Sequence, residues 1–263
     1  MSRIAHISDL HFGRHDPRKV EALLKSLTES HPDLVAVSGD ITQRAREWEF
    51  VQARHFLERI AAPVLVVPGN HDVPLYNVHR RFFKPLTRFH RHIAPAGVED
   101  SIYTDEGMVV VGLNTARRLT WKGGRVSWDQ MAHIRQNFSH LPASTWKVLV
   151  THHPIASVHG EARVELAGRA MIALRALADA GVHLLLSGHH HRAVSGEAHA
   201  ELVLNGSVLV VHAGTAVSTR TRGLDGNSYN LIRLEPGSIT VKIIAWSGDG
   251  FEEIQETRYA VAA

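Results

Sequence analysis

The chain has 263 residues, of which 44% are hydrophobic and 21% charged; that is the balance of a globular protein long enough to bury a large core. Its formal net charge of +3 suits a small anionic substrate but is too slight, and too evenly spread, for a dedicated nucleic-acid module. Cysteine is absent, which excludes disulfides and thiolate sites, so any metal must be held by nitrogen and oxygen donors. Histidine is the outlier, with 20 copies. The first thirteen residues, MSRIAHISDLHFG, place charged and polar groups where a signal peptide needs an apolar core. No run approaches the roughly 20 apolar residues of a membrane-spanning helix. The expectation is a cytoplasmic protein without a transmembrane segment.

Short apolar runs alternate with amphipathic stretches, the pattern of an α/β fold. Ile4–Ile7 reads as a strand leading into Ser8-Asp9-Leu10-His11. Pro17 opens a helix in which Val20, Leu23, Leu24 and Leu27 recur at helical spacing, and His31-Pro32 closes it. The strand 34–37 ends at Gly39-Asp40, and helix 44–60 follows with Trp48, Val51, Phe56 and Leu57 as its apolar side. A third strand, 64–67, delivers Pro68-Gly69-Asn70-His71-Asp72. Residues 74–93 read as largely helical, with Pro85 as a kink or break. Segments 101–105 and 108–113 read as a hairpin. Helix 127–139 precedes the strand 147–150, which ends at Thr151-His152-His153-Pro154. A helix near 168–180 precedes 182–186, which ends at Ser187-Gly188-His189-His190-His191. From about 194 the pattern turns to β, with strands near 201–204, 207–212, 229–234 and 238–246. The absence of repeats and linkers predicts one domain over 1–263.

Five apolar strands therefore end in turns carrying Asp, Asn or His. Ligand crevices of open α/β sheets lie beyond the carboxyl ends of the strands, so these distant turns can meet. A pair of divalent ions needs a bridging carboxylate with imidazole and carbonyl-type donors, which is this inventory. Asp9 with His11, and His189 with His191, suit chelating pairs on extended backbone. Gly39, Gly69 and Gly188 precede candidate ligands, where a small residue lets backbone approach closely. Taken singly, Asp9 and Asp40 suit helix caps or turns equally well, and Asn70 suits a turn.

In order along the chain, Asp9-Leu10-His11, Gly39-Asp40, Gly69-Asn70-His71-Asp72, His152 and Gly188-His189-His190-His191 resemble the calcineurin-like metallophosphoesterase superfamily over about residues 3–215. That resemblance implies a four-layer α/β/β/α sandwich with its metal site at the strand C-terminal ends. It implies two divalent or mixed-valence ions, drawn from manganese, iron or zinc. Asp9, His11 and His191 would bind the first, Asn70, His152 and His189 the second, and Asp40 would bridge them. His71 would be an outer-sphere acid, with Asp72 orienting it or its turn. The implied reaction is phosphoester hydrolysis by a metal-bridging hydroxide.

The protein Ser/Thr phosphatase pattern G-D-x-x-D-R-G is missing, since Gly39-Asp40-Ile41-Thr42-Gln43-Arg44 stands there. The form of the histidine motifs, with Ala213-Gly214-Thr215, looks more like bacterial class III cyclic-nucleotide phosphodiesterases and glycerophosphodiesterases. Dimers are frequent in that branch. Asn114, Arg117 and His212 are the expected substrate contacts, with Arg118, Arg220 and Arg222 as further anion candidates. A second reading is a nucleotide-sugar-lipid pyrophosphatase acting on a lipid A precursor, with 74–93 as a cap or membrane-facing element. A third is a non-catalytic scaffold on the same fold.

Overall fold

Residues that read as apolar runs form strands buried on both faces, as parallel strands between helices and a second sheet must be. The structure, a computed structural model, describes residues 1–94, 101–117, 123–158, 164–197, 208–221 and 226–261. In chain order the elements are β1 (Ser2–Ile7), α1 (Pro17–Ser30), β2 (Leu34–Val37), α2 (Glu47–Glu58), β3 (Val64–Val66), a 3₁₀ turn (Asn70–Asp72), α3 (Val78–Phe83), α4 (Thr87–His92), β4 (Ser101–Thr104), β5 (Met108–Leu113) and α5 (Trp128–Phe138). They continue with β6 (Trp146–Thr151), α6 (Ala170–Asp179), β7 (Leu184–Ser187), β8 (Val194–Glu197), β9 (Leu209–His212), β10 (Ser228–Glu235), β11 (Ser238–Trp246) and β12 (Phe251–Ala260).

These strands make two six-stranded sheets, in the orders β12-β11-β10-β1-β2-β3 and β4-β5-β6-β7-β9-β8. Alternation along each strand assigns its two faces. Ile4, Leu34, Val148, Val150, Leu186 and Ile232 pack between the sheets. On the opposite face of the first sheet, Ala5, Ile7, Val35 and Val37 meet Leu23 and Leu27 of α1 and Phe50 and Phe56 of α2. On the opposite face of the second, Val109, Val111, Leu149 and Leu185 meet Ile134 and Phe138 of α5 and Leu174 and Leu177 of α6. The result is the expected α/β/β/α layering. β1 pairs with β2 in parallel and with β10 antiparallel, so the first and last thirds of the chain share one sheet.

Several boundaries and faces differ from expectation. Trp48 and Val51 of α2 are exposed, and Phe50, Ala53 and Phe56, three residues apart, form the buried stripe instead. Segment 74–93 is two six-residue helices rather than one, because Pro85 cannot supply the backbone N–H that a continuous helix would need. Strands β8 and β12 carry no strand pattern in the sequence reading above. β12 is a sheet edge with Glu252, Glu253, Glu256 and Arg258 exposed, and charge of that kind protects an edge while hiding its strand pattern. The expected strand at 201–204, like Arg118 and Arg222, lies outside the described residues. Among the described residues no helix is long and apolar enough to cross a membrane.

The layer between the sheets is apolar along most of its length and turns polar towards the strand ends. There His6 Nε2 pairs with Ser38 Oγ at 2.8 Å, and Asn230 Nδ2 donates to the His212 carbonyl at 3.0 Å. Burial, reinforced by the charge of His212, holds the His6 imidazole down at about 3. An unfolded chain protonates His6 near its ordinary value, whereas the folded one does not. The stability tied to its neutral form is therefore complete above about pH 6.5 and is lost as pH falls from there towards 3. Urea unfolding between pH 7 and 4.5 should show a His6→Gln variant losing less stability on acidification than wild type. The difference should approach 1.4 kcal/mol per pH unit, the value of one proton; parallel pH profiles would refute this assignment.

Candidate metal centre

The turns after β1, β2, β3, β6 and β7 are laced together by backbone before any side chain is considered. Asp9 N–H donates to the Gly39 carbonyl at 3.1 Å and His11 N–H to the Asp40 carbonyl at 3.0 Å. Gly188 N–H donates to the His152 carbonyl at 3.1 Å. The two sheets are joined where His189 N–H donates to Asp9 Oδ2 at 3.0 Å. Asp9, His11, Asp40, His189 and His191 all have φ between 47° and 75°. Such left-handed backbone costs a non-glycine residue roughly 1–3 kcal/mol and persists where surrounding structure imposes it.

Two of the motif glycines are explained by contact with the carboxylates. A Cβ on Gly69 would overlap Asp40 Oδ1, and one on Gly188 would overlap Ser8 Oγ and lie 2.6 Å from Asp9 Oδ2. A side chain at either position would displace the acid that its turn has to approach.

Each acid has one oxygen occupied and one turned inward. Asp9 Oδ2 accepts from Ser8 Oγ at 2.5 Å and from His189 N–H, while the buried Asp9 Oδ1 accepts no hydrogen bond from the described residues. Asp40 Oδ1 accepts from His71 N–H at 2.8 Å. On one flank, His191 Nε2 and His11 Nε2 lie 3.2 and 3.7 Å from Asp9 Oδ1, and 3.4 Å from each other. On the other, His152 Nε2 lies 3.4 Å from Asp40 Oδ2, 3.1 Å from Asn70 Oδ1 and 3.3 Å from His189 Nδ1. Ligands about 2.1 Å from an ion stand about 3.0 to 3.4 Å apart in octahedral or tetrahedral shells. The donor set and the orphaned Asp9 oxygen therefore fit divalent cations. Backbone carbonyls orient two of the rings, Ser38 at 2.7 Å from His152 Nδ1 and Arg220 at 3.3 Å from His191 Nδ1. The seven expected ligands are thus brought together. His153 joins His152 and His189 in a further close cluster, although its Nδ1 is turned to Thr115 Oγ1 at 2.9 Å.

The electrostatics are those of a site that expects positive charge. Burial would raise the carboxyl of Asp9, but His191 and His152 together outweigh it and hold the group low. Asp40 is likewise held well below its ordinary value, by His152 and His71 acting against burial. Burial opposes protonation of His152, yet Asp40 and Asp9 lift it to about 9. Burial pushes His11 down to about 4 and His189 to about 3. The carboxylates favour positive charge beside His152, while burial favours the neutral form of His11 and His189, the form in which imidazole binds a metal.

His71 is half-buried, and its Nδ1 lies 2.7 Å from the Gln43 carbonyl. A proton on Nδ1 satisfies that acceptor and leaves Nε2 as the nitrogen that can exchange one. Asp72 is wholly buried and holds turns together. It accepts from Gly69 N–H at 2.9 Å, from Thr42 N–H and Oγ1 at 2.8 Å each, and from Ile41 N–H at 3.3 Å. Burial first, then the charge of Asp40, pushes its carboxyl up to about 7.

A cavity of about 420 Å³ opens over the centre, and Gln43, Arg44, His71, Leu75, Glu165 and Arg220 are among its walls. The three expected substrate contacts are not among those walls. Asn114 Oδ1 accepts from Ala116 N–H at 3.0 Å. Arg117 donates to the Arg125 carbonyl and to Gln130 Oε1 at 2.6 Å. His212 is buried with Nε2 3.2 Å from the Ala156 carbonyl. Each sits near a strand end but is turned into local structure. Gln43, Arg44, Leu75 and Glu165 carried no motif to mark them, because they lie on loops whose only qualification is position.

The profile of the calcineurin-like phosphoesterases matches residues 2–193. The chain belongs to that family. As a calcineurin-like phosphoesterase it is a metal-dependent enzyme of phosphoester hydrolysis. It is 26% identical over 205 residues to a Synechococcus protein named a probable cyclic nucleotide phosphodiesterase, covering 72% of this chain and 73% of that one. Over 81 residues, 26% of this chain and 29% of the relative, it is 38% identical to the glycerophosphodiester phosphodiesterase GpdQ of Enterobacter lignolyticus. Among solved structures it resembles a dimetal phosphatase from Danio rerio, with TM-score 0.68, 12% identity and 99% of both chains covered. It also resembles the purple acid phosphatase PPD1 of yellow lupin, with TM-score 0.73, 14% identity, and 98% of this chain and 53% of that one covered. The structural likenesses confirm the four-layer fold.

A Gly69→Ala variant should disturb the turn at Asp40 locally, because the new methyl group would meet both Asp40 Oδ1 and the Asp40 backbone nitrogen. Its metal content after purification should fall below half that of wild type by elemental analysis. An unchanged metal content would show that Asp40 takes no part in holding metal.

Proposed function

We propose that this phosphoesterase hydrolyses phosphodiesters at a two-metal centre. In this reading Asp9, His11 and His191 would hold one ion, Asn70, His152 and His189 would hold the other, and Asp40 would serve both. The observation that carries it is the pair of imidazole-flanked, buried carboxylates whose inward oxygens share one space. Manganese, iron and zinc all suit the nitrogen and oxygen donors. Bound ions would supply Lewis acidity towards the phosphoryl oxygens and a water of lowered pKa.

The chain's own residues supply the rest. His71, fixed through Nδ1 by the Gln43 carbonyl, presents Nε2 to the cavity as proton donor to the leaving oxygen or as hydrogen-bond donor to the phosphoryl group. Arg44 and Arg220 give the cavity positive charge for an anionic ester, and Leu75 gives it an apolar wall. Asp72 acts through the turn it holds, as a positioning residue. Support for a diester comes from the two curated relatives, both named phosphodiesterases, and from the Thr151-His152-His153-Pro154 form of the sixth strand's end.

Manganese-loaded protein should hydrolyse bis(p-nitrophenyl) phosphate at least about tenfold faster than p-nitrophenyl phosphate. Asn70→Ala should lose bound metal together with rate. His71→Ala should keep its metal and lose about 10²–10⁴-fold in kcat, the range for a general acid. Full activity in a metal-free preparation would overturn the metal reading, and a preference for the monoester would overturn the diester one.

A further inference from the structure

Beside the cavity over the metal centre lies a second one of about 320 Å³, and Arg44 and Leu75 line both. Its other walls include Arg46, Arg80, Arg88 and Tyr76, and no carboxylate is among them. The nearby acid is already engaged. Glu47 pairs with Arg88 at 2.9 Å, with Arg91 at 3.2 Å and with His92 at 2.7 Å. Among the described residues no carboxylate forms an ion pair with Arg44, Arg46 or Arg80. Arg44, Arg46 and Arg80 therefore line one hollow whose walls hold no carboxylate.

Their backbones are fixed in place. Buried Glu49 accepts from the N–H groups of Arg44 and Arg46 at 2.8 and 3.0 Å, which pins the loop entering α2. Asn77 Oδ1 accepts from Arg80 N–H at 2.9 Å at the start of α3. Buried Arg81 donates to the Pro74 carbonyl at 3.3 Å and fastens the same helix to the rim. The Arg44 guanidinium lies 4.9 Å from the centre of the Tyr76 ring, which is 69% exposed. That stack orients the arginine shared by the two cavities. Preorganised guanidinium groups are the usual protein partners of phosphate oxygens, because their planar fork matches two of those oxygens at once.

We propose that this hollow is a subsite for a second phosphate of the substrate, held by Arg44, Arg46 and Arg80 while the ester phosphate occupies the neighbouring metal cavity. The inference rests on the phosphodiesterase reading and narrows it to diesters that carry a further phosphomonoester group. Such a group could sit on a nucleotide or on a sugar or inositol headgroup. The exposed Tyr76 ring offers a stacking surface that favours the first.

Binding measures this independently of turnover. Calorimetry with adenosine 3′,5′-bisphosphate and adenosine 5′-monophosphate, and with inositol 1,4-bisphosphate and inositol 1-phosphate, would be run on metal-loaded and on chelator-treated protein. The bisphosphate should bind at least about tenfold more tightly than its monophosphate in one or both pairs, and that preference should persist without metal. A tenfold preference corresponds to about 1.4 kcal/mol. In an Arg46→Gln/Arg80→Gln variant the ratio should collapse to within about twofold, and Arg46→Lys/Arg80→Lys should restore part of it. Preference in the adenosine pair alone assigns a nucleotide, and preference in the inositol pair alone a headgroup. Equal binding of mono- and bisphosphates by wild type, or a ratio unchanged in the double variant, would overturn the subsite. Failure to hydrolyse bis(p-nitrophenyl) phosphate would instead count against the diesterase reading, leaving these ratios to decide the subsite.

Discussion

Two carboxylates, Asp9 and Asp40, lie at the ends of adjacent parallel strands with almost no exposure to water. Buried like charges so close repel each other strongly unless positive charge accompanies them. Much of the surrounding structure meets that requirement. One oxygen of each acid is satisfied by N–H or O–H donors from neighbouring turns, and the other faces imidazole nitrogens. The raised protonation of His152 and the lowered protonation of His11 and His189 express the same demand. A proton and a metal ion are alternative answers to it.

The scaffold supports this arrangement against local preference. Five of the ligand residues hold left-handed backbone, and two turns approach so closely that only glycine fits. Those strains are held by the layers below them, where two apolar sheets and their helices fix the strand ends. Asp72 makes the connection explicit. Three of its four hydrogen bonds tie the turn after β3 to the loop after β2 and the fourth closes its own turn on Gly69, so Asn70 and His71 take their places relative to Asp40. The polar end of the inter-sheet layer, from His6 to Asn230, grades the apolar core into the charged site above it.

The candidate metal ligands and the walls around them come from different parts of the molecule. Reacting groups sit on short turns directly above strands, where backbone bonding leaves little freedom. The walls around them come from longer connections: the loop before α2, the segment that leads into α3, and the chain near Glu165 and Arg220. This division suits a family in which one metal centre serves several esters. Arg44 belongs to both parts, since it lines the metal cavity and the adjoining basic hollow.

The seven candidate ligands were legible in sequence because strand-end motifs couple a local pattern to a fixed place in the sheet. Apolar runs before Asp9, Asp40, Asn70, His152 and His189 already imply that those residues share the carboxyl edge of a sheet. The same periodicity marked α1, α5, α6 and the four-layer class. Local pattern was silent on β12, where edge charges mask the strand, and misleading on Trp48 and Val51, where the neighbouring stripe is the buried one. It also pointed to Asn114, Arg117 and His212, whose hydrogen bonds turn them into local structure. Which charges line a cavity depends on how non-adjacent loops pack, and no short-range rule carries that information. Sequence alone therefore determined which residues are candidate ligands, because backbone periodicity places them at strand ends. Tertiary structure alone decided the walls, the role of Asp72 and the hollow beside Arg44, because those follow from contacts between segments that share no pattern.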